Sequence, residues 1–121
     1  MWLRFAFCSM LMASGANAAM YDGNKHHELC TINPQFVLGY VAGHMDKAQD
    51  DVGISSVMLA GDQRLTPLMF TIEPYCLPET AKLGQAVDVY CKYLRDNPGE
   101  RHRPSAALLG SAFAAVWACK R

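Results

Sequence analysis

Chemistry in this chain can come from few residues. They are Cys8, Cys30, Cys76, Cys91 and Cys119, with His26, His27, His44 and His102. A cysteine beside a base can be a nucleophile, a pair of cysteines can close a disulfide, and a His/Cys cluster can hold a metal. The nucleophile reading would join Cys91 to His102. It lacks the helix N-terminus or cationic neighbour that stabilises a thiolate, because Cys91 falls in mid-helix on an apolar stripe. No G-x-S-x-G, H-E-x-x-H or glycine-rich phosphate loop is present. The chain therefore reads as a non-enzyme, with no catalytic residue and no cofactor. A metal reading would use His26, His27, Glu28 and Cys30. Oxidation would remove Cys30 as a ligand, and adjacent histidines diverge on a helix, so these residues read as a solvated helix end. The methionines are scattered and read as core filling.

The disulfide reading depends on the compartment. Met1-Trp2-Leu3-Arg4 is a short positive start, Phe5 to Met12 is an apolar run, and Ala16-Asn17-Ala18 is an A-x-A box. That pattern is a secretory signal over 1–18, leaving a single domain over 19–121. Cys8 leaves with the signal, so four cysteines remain in an exported chain and predict two disulfides. Each stabilises by about 2–4 kcal/mol, mainly by restricting the unfolded state. The 121 residues carry 11 basic and 11 acidic groups. Such a balance gives no electrostatic footprint for nucleic acid.

The elements that would position these residues are helical. Asn24 is a candidate cap for a first short helix ending near Cys30. Asn33-Pro34 starts a second, with Phe36, Val37, Tyr40, Val41, His44, Met45 and Ala48 at helical spacing. Gly39 and Gly43 on it suit either intrachain packing, the favoured reading, or a dimer seam. Tyr40 suits core or interface equally. Residues 50–75 are the least legible, with some helix expected inside them. Pro78-Glu79-Thr80 opens a third helix with an apolar stripe of Leu83, Val87, Tyr90 or Cys91, and Leu94. Asn97-Pro98-Gly99 ends it, and Arg103-Pro104 starts a fourth. The fold class is all-α, a small disulfide-stapled bundle of about four to five helices. Four cysteines allow three pairings. An antiparallel hairpin of the last two helices favours Cys76 with Cys119, leaving Cys30 for Cys91.

The order of certain residues is more specific than any one of them. Cys30, Gly39-Tyr40-Val41-Ala42-Gly43, Asp46, Cys76-Leu77-Pro78-Glu79, Gly84-Gln85, Val87, Val89, Tyr93-Leu94, Asn97-Pro98, Arg101-His102, Ala106 or Ala107, and Cys119 run through nearly the whole mature chain. This pattern resembles the Rap/Tai immunity family of the type VI secretion system. The resemblance implies a periplasmic, disulfide-bonded helical protein that binds a secreted peptidoglycan amidase effector and blocks its groove, commonly as a homodimer. Two departures stand out. Val37 occupies a position where the family usually has cysteine, and Lys82 one where it tends to have a capping Thr, so Thr80 or Glu79 would cap instead.

For a blocking protein the working part is surface. The charged loop between the third and fourth helices, with Asp96, Asn97, Glu100, Arg101 and His102, is the first candidate for partner binding. Its ordinary alternative is a solvated turn in which Arg101 and His102 bond nearby carbonyls. The segment from Asp50-Asp51 to Arg64 is the second. The alternative function is a non-catalytic envelope or structural protein on the same scaffold, with no toxin partner.

Overall fold

The computed structural model describes residues 19–58 and 75–120, with side chains from 54 to 58 left aside. The signal segment 1–18 and residues 59–64 of the second candidate surface lie outside the described residues. Among the described residues there are four α-helices: α1 (Gly23–Ile32), α2 (Pro34–Met58), α3 (Leu83–Asp96) and α4 (Ser105–Val116), with a 3-10 turn at Pro98–Glu100 between the last two. No strand occurs among the described residues. Two isolated bridges, Asp22 with Pro104 and Tyr75 with Ala118, lie at opposite ends of the bundle.

α3 is the central element and packs on α1, α2 and α4. The reason is its side-chain spacing: Ala86, Tyr90 and Leu94 recur every fourth residue and are all buried. α4 answers with Leu108, Leu109, Ala112 and Phe113, and α2 with Val37 and Val41. The core therefore runs along one seam, with Tyr90 and Phe113 its largest members.

Helix boundaries differ from the sequence expectation in three places. Asp22, not Asn24, caps α1, its carboxylate accepting the Lys25 N–H at 2.8 Å. The segment Pro78–Thr80 is a turn, closed by Ala81 N–H to the Pro78 carbonyl, and α3 starts only at Leu83. Lys82 stands at its N-cap with no side-chain hydrogen bond, so neither Thr80 nor Glu79 caps it. Pro104 precedes α4 in extended conformation, held there by its bridge to Asp22. Asn33-Pro34 behaves as read: the Asn33 side chain accepts the Phe36 N–H at 3.2 Å and Pro34 opens α2. α2 also continues past Ala48 to Met58.

Both disulfides close as the hairpin argument favoured. Cys30–Cys91 ties the end of α1 to the middle of α3, Cα to Cα 5.9 Å. Cys76–Cys119 ties the approach to α3 to the end of α4, at 4.8 Å.

Candidate functional site

The loop from Asn97 to Pro104 gets its shape from two directions. From α3, the Asn97 side-chain amide donates to the Tyr93 carbonyl at 2.9 Å. Arg101 reaches back to the same helix end, donating through Nε to the Leu94 carbonyl and through Nη2 to the Arg95 carbonyl. These carbonyls have no helical partner of their own, and a guanidinium at a helix C-terminus also suits the dipole. Within the loop, Arg103 pairs with Glu100 at 2.7 Å and His102 Nδ1 donates to the Gly99 carbonyl at 3.0 Å.

From the other side comes the N-terminal strap. Gly23 N–H donates to the Arg103 carbonyl at 3.1 Å, and Asn24 N–H to the Arg101 carbonyl at 3.0 Å. Ser105 N–H donates back to the Tyr21 carbonyl at 3.0 Å. These three backbone bonds form a clasp between residues 21–24 and 101–105. It requires glycine at position 23. A Cβ there would lie 2.4 Å from the Leu108 side chain and 2.9 Å from Arg101 backbone atoms.

Beneath the clasp His26 is completely buried. Tyr21 stacks on it, and Phe36, Tyr40 and Tyr90 meet it edge-on. Its Nδ1 lies 2.9 Å from the Tyr90 hydroxyl, which in turn faces the Ser105 carbonyl at 3.5 Å. A proton on Nδ1 satisfies this row in one direction, imidazole to phenol to carbonyl. Nε2 is left buried with no partner among the described residues. Burial holds the imidazole below its ordinary pKa, with Asp22 pulling weakly upward. Burial pushes the Tyr90 and Tyr40 phenols up, so both remain hydrogen-bond donors. The sequence reading took His26 for part of a solvated helix end, and the structure corrects this. The signal was the spacing of Gly23, His26, Leu29 and Cys30, which share one face of α1.

The other candidate residues fall as follows. Asp96 is exposed, and Lys92 one turn back is both its hydrogen-bond partner and the main reason its carboxyl sits below the usual range. Glu100 and Arg103 are part-exposed, His102 exposed, and Met20 of the strap lies 88% exposed beside His102 and Pro104. The side chains of Asn97 and Arg101 turn back to the end of α3, and Arg101 and His102 both bond nearby carbonyls, as the solvated-turn alternative had them do. Cys91 is oxidised, so it and His102 form no nucleophile–base pair. Among the described residues no group of three His, Cys, Asp or Glu could hold a metal ion.

Intrachain packing was the favoured reading of Gly39 and Gly43, and the described residues do not bear it out. Both glycines are exposed, and a Cβ at either meets no described atom within 4 Å. The reason is register: Val37 and Val41 take the inward face of α2, which turns Gly39 and Gly43 outward. Tyr40 is half-buried and packs against His26. At the far end, α2 and α4 flank a groove of about 370 Å³, lined by His44, Lys47 and Asp51 on one side and Ala107, Gly110 and Ser111 on the other. No helix described here is long and apolar enough to cross a membrane.

A family model described as Rap1a immunity proteins matches residues 22–119. The match begins at the α1 cap and ends at the last disulfide cysteine, so it takes in the whole clasp and both staples. No curated protein and no solved structure gives a match.

Proposed function

The chain belongs to the Rap1a immunity protein family, and on that premise we propose that it binds a type VI-secreted peptidoglycan amidase in the periplasm and blocks its groove. The family is non-catalytic and acts on an effector protein by binding it. The match over residues 22–119 carries this reading. Two disulfides fit an oxidising compartment, which supports export by a signal over 1–18.

Inhibition is steric. The loop is held at both ends before any partner arrives, so little ordering entropy is lost on docking. Glu100 and His102, with Asp96 at the rim, present the contacts; Asn97 and Arg101 shape the loop from beneath. No described residue covers the Gly39–Gly43 face of α2, which supports association with a second copy, since small residues let two helices approach closely.

Rescue of cells from a periplasmic amidase tests the reading. The chain with its leader should protect, and the chain without residues 1–18 should not. Glu100→Lys with His102→Glu should abolish protection while far-UV circular dichroism stays unchanged. Protection that survives both substitutions moves the contact elsewhere.

A further inference from the structure

His26 plays no part in contacting a partner, yet it lies where the first and last parts of the domain meet. The groups facing it are Tyr21 from the strap, Phe36 and Tyr40 from α2, and Tyr90 from α3. Among the described residues the carboxylate acting on it is Asp22, already engaged as the α1 cap. The loop's cations are turned elsewhere, Arg101 to the end of α3 and Arg103 to Glu100. As a neutral ring His26 bonds through Nδ1 and leaves Nε2 an uncharged acceptor with no described partner. A second proton on Nε2 would place an N–H and a full charge where no described acceptor lies. The ring escapes that penalty by leaving its cage, and it cannot leave unless the first turn of α1 lifts away from residues 101–105.

We propose that His26 is a proton-operated latch on this clasp. Neutral, it seats the strap and α1 against the loop. Protonated, it releases them, while Cys30–Cys91 keeps the end of α1 tethered to α3 and Cys76–Cys119 holds the far end. Acid thus frees the loop that carries Glu100 and His102 without unfolding the bundle. The latch holds whatever the protein's partner is.

The sign follows from proton counting. The open form titrates near the ordinary histidine value of about 6.5 and the closed form lower, so the closed form binds fewer protons. Opening therefore becomes more favourable as pH falls below about 6.5, by about tenfold per unit until the closed ring itself titrates.

Amide hydrogen exchange on the oxidised chain from pH 7.5 to 5, corrected for intrinsic chemistry, tests this. The Gly23, Asn24 and Ser105 amides bond across the clasp. Their opening constants should rise about tenfold per unit below pH 6.5 and stay larger at every pH than those of the Tyr90 and Leu94 amides in α3, which open only with the whole bundle. His26→Asn keeps a polar group near the Nδ1 position without a proton to gain, and should flatten the response. His44→Gln should leave it intact. Should His26→Asn fail to fold, the ring nitrogen shifts of His26 in the unaltered protein report its protonation directly. A flat clasp response, a response surviving in His26→Asn or lost in His44→Gln, or a caged ring that takes up its proton above pH 6.5 overturns the latch.

Discussion

The two ends of the bundle are held by different means. At the clasp, three backbone hydrogen bonds, a glycine that tolerates no Cβ and a caged imidazole join residues 21–26 to 101–105. At the other end a covalent tie is added to the packing. Cys76 is exposed, and among the described residues its bond to Cys119 is joined by a bridge of Tyr75 with Ala118, a backbone bond from Cys76 N–H to the Trp117 carbonyl, and the buried Tyr75 ring edge-on to Phe113. Among the described residues the α2–α4 groove lies there, and none covers the glycine face of α2. A contact-built joint fails when shape or protonation changes. A covalent joint fails on reduction and otherwise accepts variation around it.

The largest test removes the covalent tie. Cys76→Ala with Cys119→Ala should lower unfolding free energy by about 4 kcal/mol, the chain-entropy value for a loop of this length, read from urea denaturation. Amide protection at Cys76 and Trp117 should fall further than at Gly23 and Asn24. Equal loss at both ends would erase the contrast. In the oxidised protein, graded thiol reductant should open Cys76–Cys119 before the half-buried Cys30–Cys91, as alkylation and peptide mapping would show.

Next comes Gly23→Ala, which forces overlap with Leu108 and the Arg101 backbone. A loss of about 1–3 kcal/mol is expected, as for an overfilled core. A neutral result would mean the clasp yields freely. A smaller effect concerns pH. His44 at the open end is also held below its ordinary pKa by burial. The folded form therefore binds fewer protons there too, and stability falls as pH drops below about 6.5. His44→Gln should remove part of that global slope and none of the clasp response. Smallest is Gly43→Ala, in open space on a helix. It should gain about 0.5–1 kcal/mol, and a loss would show that the face is covered.

Much of the scaffold was legible because it is periodic. Tyr90 and Leu94 on α3, and Leu108, Leu109 and Phe113 on α4, announce their burial by spacing. The hairpin then brings Cys76 to Cys119 and leaves Cys30 for Cys91. What escaped was contact between segments far apart in the chain. Nothing local to Asp22 or Pro104 says that they pair, so the α1 cap was placed at Asn24. A histidine beside a second histidine and a glutamate looks solvated until Phe36, Tyr40 and Tyr90 are brought around it. Gly39 and Gly43 show the limit from the other side: the glycine spacing was evident, but which way it faces is decided by Val37 and Val41. The candidate loop is legible from its charge and prolines, but its two readings, a binding surface or a turn with Arg101 and His102 on nearby carbonyls, weigh equally in the sequence. The end of α3 decides for Arg101, which bonds the Leu94 and Arg95 carbonyls.

One consequence follows from the bond between the Ser105 amide and the Tyr21 carbonyl. The earliest-made part of the domain closes on nearly the latest, so assembly cannot follow the order of synthesis. A ribosome or a translocation channel still holding the C-terminal third withholds the surface on which α1 must seat. The nascent chain stays threadable until it is complete, and such long-range closure makes the final step slow relative to local helix formation.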